Sequence, residues 1–165
     1  MVHNILDIRN LCTYYDTEEG VVRAVEDVSI GVASGESLGI VGESGHKKNA
    51  LALSIMRLIQ PPGKIIKGEI ILKGQDIRKM SSESVRQLRG GEIAMIFQDP
   101  MSSLNPVFSI GSQIAEAIRL HQKIQSKQEI KKRVMAIMGK VGIGDPERRL
   151  SEYPHQYSGG MRQRV

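Results

Sequence analysis

Hydrophobic and polar positions alternate along this chain in runs that predict strands first and helices later. Ile5 to Leu11 alternates enough to be a strand, and Val21 to Ile30, rich in β-branched residues, reads as another. Ser34-Gly35 then marks a turn. Ser37-Leu38-Gly39-Ile40-Val41 is short and almost wholly apolar, the pattern of a strand covered on both faces in a parallel sheet. Gly42 to Gly45 breaks it. Asn49 to Gln60 is apolar nearly all round, at Leu51, Leu53, Ile55, Met56 and Leu58, which predicts a buried helix ended by Pro61-Pro62-Gly63. Gly68 to Gly74 reads as an antiparallel strand with a turn. Ser82 to Leu88 reads as a short helix capped by Ser81 or Ser82 and stopped by Gly90-Gly91. Ile93 to Phe97 is a further buried-strand candidate. Ile110, Ile114 and Ile118 lie four apart, and Ile130, Val134, Ile137, Met138 and Val141 make a second helical stripe. Core packing accounts for both stripes. Asp145-Pro146 opens a loop that runs through Pro154, and Ser158-Gly159-Gly160 opens a final helix.

Length and composition bound the picture without changing it. The 165 residues suffice for a domain with a buried core, and 40% hydrophobic with 25% charged residues is ordinary for a globular chain. The single Cys12 cannot form an internal disulfide, which predicts a reducing compartment. No apolar run reaches the roughly 20 residues of a membrane helix, and Met1-Val2-His3-Asn4 carries no secretory signal pattern. A cytoplasmic chain is expected, one that meets a membrane only through another protein. The net charge of +5 is modest, and 4 Tyr, 2 Phe and no Trp leave few rings to stack bases. Lys131-Lys132-Arg133 beside Glu129 reads as a solvated helix face. These features argue against a nucleic-acid partner.

One stretch carries candidate chemistry on its own. Glycines after a buried strand and before a helix let backbone N–H groups wrap an anion, helped by the positive end of the helix dipole. The pattern for such a phosphate loop is G-x-x-x-x-G-K-[ST]. Gly42-Glu43-Ser44-Gly45-His46-Lys47-Lys48-Asn49-Ala50 supplies Gly42 and Lys48, but puts Lys47 at the last glycine and Asn49 at the metal-binding hydroxyl. An ordinary strand-to-helix turn with two exposed lysines is the plain alternative.

Two longer strings add to it: Ile96-Phe97-Gln98-Asp99-Pro100-Met101-Ser102-Ser103-Leu104-Asn105-Pro106, and Tyr153-Pro154-His155-Gln156-Tyr157-Ser158-Gly159-Gly160-Met161-Arg162-Gln163-Arg164-Val165. They resemble the glutamine loop and the signature motif of ABC-transporter ATPases, in wording closest to the subunits that energise dipeptide and oligopeptide importers. The resemblance runs from Ile5-Leu6 through Tyr14-Tyr15 to the last residue. It implies an α/β fold, an incomplete P-loop NTPase core with an antiparallel β part over residues 1–98, and a helical subdomain over 99–165. It implies ATP and Mg²⁺ as cofactors. Tyr15, with Tyr14 next, matches the aromatic that stacks on adenine. Gly42 through Ala50 fall on the phosphate loop, where Lys48 would reach the β- and γ-phosphates. Gln98 would touch Mg²⁺ and the attacking water. Ser158, Gly159 and Gly160 would bind the γ-phosphate held by a second ATPase subunit. Permease subunits would dock near Asp99 to Pro106, placing the chain on the inner face of the cell membrane.

The departures are as informative. His46, Lys47, Asn49 and Ala50 replace the family's serine, glycine, serine and threonine. A side chain at Lys47 obstructs close backbone approach, and Asn49 offers Mg²⁺ only an amide. Weak or absent Mg·ATP binding is expected, with Lys47 retaining some affinity for a bare phosphate. Tyr157 stands in place of the signature leucine. The sequence stops before the family's acidic strand, its catalytic Glu and switch His, so this looks like a fragment. It should not hydrolyse ATP alone, and Leu38, Ile40 and Val41 should lie beside an unpaired edge. A non-catalytic docking module with a degenerate site is the rival reading. An ABC-type ATPase acting on nucleic acid is a weaker one, since such proteins carry two such domains.

Overall fold

The computed structural model describes residues 4–42, 46–97, 103–122 and 124–165; of His46 only the backbone is described. The chain forms two compact units, Met1–Met95 and Ile96–Val165.

The first unit is built on a four-stranded antiparallel sheet of order β2-β1-β3-β4. β1 (Asn4–Thr17) turns at Glu18-Glu19 into β2 (Gly20–Ala33) and is flanked on its other side by β3 (Gly63–Leu72), with the two-residue β4 (Gln75–Asp76) at the far edge. The register runs from Asn4 opposite Ala33 to Thr17 opposite Gly20, and from Leu6 opposite Leu72 to Tyr15 opposite Gly63. Both pairings slip near Asn10, whose φ of 46° is matched by 49° at Asp27 across the strand. The Asn10 amide side chain donates to the Asp27 carboxylate at 3.2 Å and fixes this bulge. Gly68 is needed opposite it. Its φ is +101°, and a Cβ there would lie 2.5 Å from the Leu11 Cα.

One face of the sheet is covered by α1 (His46–Ile55) and α2 (Ser82–Leu88). Ile8, Leu11, Val25, Ile70 and Leu72 from the sheet, Ala50 and Leu51 from α1, and Ile77 and Val85 form its core. A buried polar link crosses this layer. The Ser54 hydroxyl donates to the Ala50 carbonyl at 2.6 Å, so the Thr13 hydroxyl donates to Ser54, at 2.7 Å. α1 ends by a left-handed cap: Leu58 N–H bonds the Leu53 carbonyl, Arg57 N–H bonds that of Ser54, and Arg57 takes φ 50°. Ser81 caps α2, its hydroxyl accepting from Ser84 N–H at 3.1 Å.

The second unit is helical. α3 (Ile110–Gln122) and α4 (Lys127–Lys140) are followed by the short α5 (Pro146–Arg149), a 3₁₀ turn at Pro154–Gln156, and α6 (Gly159–Arg164). Ile110, Ala115, Ile118, Ile130, Val134, Met138, Ile143 and Tyr157 make a separate core. The two predicted stripes are its principal source. Lys131, Lys132 and Arg133 are exposed, with Lys131 on Glu147 and Arg133 on Glu129.

Several sequence expectations need correction, among them the loop expected from Asp145 through Pro154, which holds α5 and the 3₁₀ turn. Ser37 to Val41 and Ile93 to Phe97 were expected to be buried strands, and neither belongs to the sheet. Val41 is 94% exposed and Ile96 91%, with Leu38, Ile40 and Phe97 also in solvent. An apolar run becomes a strand only when neighbours accept its hydrogen bonds, and among the described residues none does beyond a lone bridge from Arg89 to Ile93. The buried helix also starts earlier than expected, at His46, and ends earlier, at Ile55.

Candidate functional site: a cationic helix start and a capped signature loop

The candidate phosphate loop leads from Gly42 into α1, with Glu43, Ser44 and Gly45 outside the described residues. Helix α1 opens His46-Lys47-Lys48-Asn49 with no acidic residue in its first turn. The first four N–H groups of any helix lack partners within it, and its start carries a partial positive charge. Two lysines there oppose the usual preference for Asp or Glu. Lys47 and Asn49 are exposed and Lys48 is half-buried. The Lys48 ammonium folds back and donates to the Gly42 carbonyl at 2.7 Å, bridging the two ends of the loop. Ala50 is 2% exposed and its methyl belongs to the core, so only its backbone is left to the loop.

Phosphate and metal fare differently against these residues. The positive end of a helix and two ammonium groups fit a phosphate group. A hard divalent cation wants oxygen ligands, usually with carboxylates. Among the described residues no cluster of three His, Cys, Asp or Glu exists, and of the described loop side chains only Asn49 offers an oxygen, so these residues by themselves do not form a Mg²⁺ site.

The two tyrosines lie on β1 rather than on a loop. Tyr15 packs its ring over Gly63, where a Cβ would lie 2.5 Å from the Tyr15 Cε1. Tyr14 donates its hydroxyl to Glu26 at 3.0 Å, beneath the Arg23 guanidinium at 5.6 Å. That hydrogen bond to Glu26, chiefly, pushes the Tyr14 hydroxyl pKa up to about 12.

In the second unit Ser158 caps α6, its hydroxyl accepting from Met161 N–H at 3.3 Å. Gly159 and Gly160 are exposed, and a Cβ at either would meet nothing within 4 Å. Tyr157, 3% exposed, is seated beneath them; its hydroxyl donates to the Arg149 carbonyl at 3.0 Å and the Arg149 guanidinium lies 5.9 Å from the ring centre. Burial, chiefly, with the charge of Glu152, raises the Tyr157 pKa. Replacing an aliphatic signature residue therefore supplies the buried hydroxyl with a partner. Sequence reading missed this bond, because a carbonyl acceptor leaves no side-chain signal. Gln98 lies outside the described residues. The loop residues are in one unit and Ser158 to Gly160 in the other.

A sheet-and-helix unit carrying the candidate loop is thus followed by a helical unit ending in a Ser-Gly-Gly cap. Solved structures agree on the fold. The dimeric structure of MJ0796, a bacterial ABC transporter cassette, superposes with a TM-score of 0.82 at 22% identity, covering 96% of this chain and 66% of that one. CbiO1 from Clostridium perfringens, part of the ABC transporter complex cbiONQ, gives 0.70 at 23% over 98% and 58%. The chain belongs to the ABC transporter family, whose sequence profile matches residues 25–165. The probable peptide ABC transporter ATP-binding protein y4tR of Sinorhizobium fredii (strain NBRC 101917 / NGR234) is 50% identical over 162 residues, 98% of this chain and 48% of that protein. The oligopeptide transport ATP-binding protein OppD of Bacillus subtilis (strain 168) is 45% identical over 165 residues, 99% and 46%. The dipeptide transport ATP-binding protein DppD of Escherichia coli (strain K12) is 45% identical over 161 residues, 98% and 49%. The chain thus spans about half the length of these relatives.

Proposed function

We propose that this chain is the N-terminal part of an ATP-binding subunit that energises import of dipeptides or oligopeptides. In this reading it works on the inner face of the membrane with permease subunits and a second ATPase subunit. Residues 1–98 form the nucleotide-binding core and 99–165 the helical subdomain. The carrying observation is the start of α1: two lysines and no acid at the positive end of a helix, with Lys48 bridging to Gly42. That local charge conflict is relieved by a bound phosphate. Ser158, Gly159 and Gly160 offer exposed N–H groups and a hydroxyl for a phosphate held by another subunit, and Gln98 is the water-positioning residue of the assembled site.

The chain's own loop binds the phosphates of ATP weakly and without a Mg²⁺ requirement. Isothermal titration with ATP, with and without Mg²⁺, tests this. Weak binding, equal in both conditions and lost in Lys48→Ala, is the expected result. Tight Mg²⁺-dependent binding, or binding indifferent to Lys48→Ala, contradicts it.

A second reading, a docking module without nucleotide, draws on the helical unit. Phe108 and Val107 are exposed beside a 690 Å³ cavity lined in part by Leu104, Phe108, Ile114 and Ile137. Absence of any ATP binding together with retained permease binding favours it.

A further inference from the structure

The first unit holds a cationic cleft, open to solvent, beside the C-terminal end of α1. It has a volume of 340 Å³ and is lined by Arg57, Ile59, Gly63, Lys64, Ile65 and Arg78. That volume lies within the range of small-molecule sites. Three cations line it and no acid does. Lys64 pairs with Asp16 at 3.7 Å, a long contact between exposed groups. Among the described residues neither Arg57 nor Arg78 is in an ion pair; both are tied to backbone carbonyls. Arg57 Nη1 donates to the Ile77 carbonyl at 3.0 Å and to that of Met80 at 2.8 Å. Arg78 donates to the carbonyls of Gly68 and, at 3.5 Å, Ile65.

A guanidinium has five N–H donors. The carbonyls take two from each arginine and hold both forks in place, while the remaining donors keep their full charge. Arg57 is further fixed by its left-handed backbone, a conformation that side-chain-bearing residues adopt at a cost. Fixed guanidiniums with unspent donors match the geometry of phosphate oxygens. Ile59 and Ile65 give the same cavity an apolar wall.

We propose that this cavity binds a small phosphorylated organic molecule, its phosphate on Arg57, Arg78 and Lys64 and its apolar part against Ile59 and Ile65. This site is separate from the loop at Gly42 to Ala50. The test is a ¹⁵N NMR titration of the 165-residue chain with phenyl phosphate and with inorganic phosphate at constant ionic strength. Phenyl phosphate is expected to shift the amides of Gly63, Lys64 and Ile65 and to bind more tightly than inorganic phosphate. Lys64→Glu, an exposed substitution, and Arg57→Lys, which retains charge but loses the fork, should each weaken it by about tenfold or more. Lys48→Ala should leave it unchanged. Shifts confined to Lys47 to Ala50, equal affinity for the two anions, binding indifferent to Lys64→Glu, or no binding would overturn the proposal. Loss of ATP binding in Lys48→Ala bears on the loop alone, so the two proposals fail separately.

Discussion

At the level of single residues, two loop positions carry the proposal of weak binding. In that reading Lys47 would place a side chain where a phosphate approaches the backbone, and Asn49 would offer an amide in place of a hydroxyl. Restoring both, as Lys47→Gly with Asn49→Ser, is expected to raise ATP affinity by about tenfold and to make it depend on Mg²⁺; titration calorimetry reads both effects. Tyr157 is the opposite case, a change that the structure absorbs. Tyr157→Phe removes one of the two donors to the Arg149 carbonyl, which keeps the Glu152 N–H at 3.2 Å, and should lower the stability of the helical unit by about 1 kcal/mol, measured by urea unfolding. The carbonyl partners of Tyr157, Arg57 and Arg78 could not be read from sequence, because every residue carries a carbonyl and only the fold brings one within reach.

Among the elements, helices were more legible than strands. Each long helix carries its own hydrogen bonds, so the stripes at Ile110 to Ile118 and Ile130 to Val141 sufficed to locate α3 and α4. A strand depends on its neighbour, and that is why Ser37 to Val41 and Ile93 to Phe97 read as strands and are not. β1 outran its expected end at Leu11 because β2 and β3 pair with it up to Thr17 and Tyr15. The bulge at Asn10 makes Gly68 the most sensitive position in the sheet. Gly68→Ala forces a Cβ against the Leu11 backbone at an unfavourable φ, and should cost roughly 3 kcal/mol in thermal or urea unfolding. The turn after β4 is held by Asp76. Burial alone would raise its pKa, but hydrogen bonds from Arg78 N–H, Lys79 and Ile70 N–H hold it below the ordinary carboxylate value. A depressed folded-state pKa gives stability that is complete above the unfolded value of about 3.9 and lost as pH falls through the folded one. Asp76→Asn should therefore flatten the acid limb of the stability curve below about pH 4 while leaving the slope above it unchanged.

For the molecule as a whole, several large apolar side chains stand exposed among the described residues. Val41, Ile96 and Phe97 present large hydrophobic side chains on backbone that pairs with no strand. Such segments recruit other chains. Val41→Lys combined with Phe97→Ser should shift the chain toward monomer in multi-angle light scattering, with far-UV circular dichroism unchanged. The family was legible because long motif strings survive in order along the chain. Of the candidate site, the sequence carried the departures at Lys47 and Asn49, while the fold of Lys48 onto Gly42 and the core position of the Ala50 methyl required three dimensions.

The pairing order of the antiparallel layer bears on how such a chain is made. Every strand that β1 touches, and the strand beyond, lies between Asn4 and Asp76. A nascent chain emerging from the ribosome can close this layer while the helical half is still being translated. The earliest folded piece is then also the one that carries both proposed anion sites, the start and the end of α1.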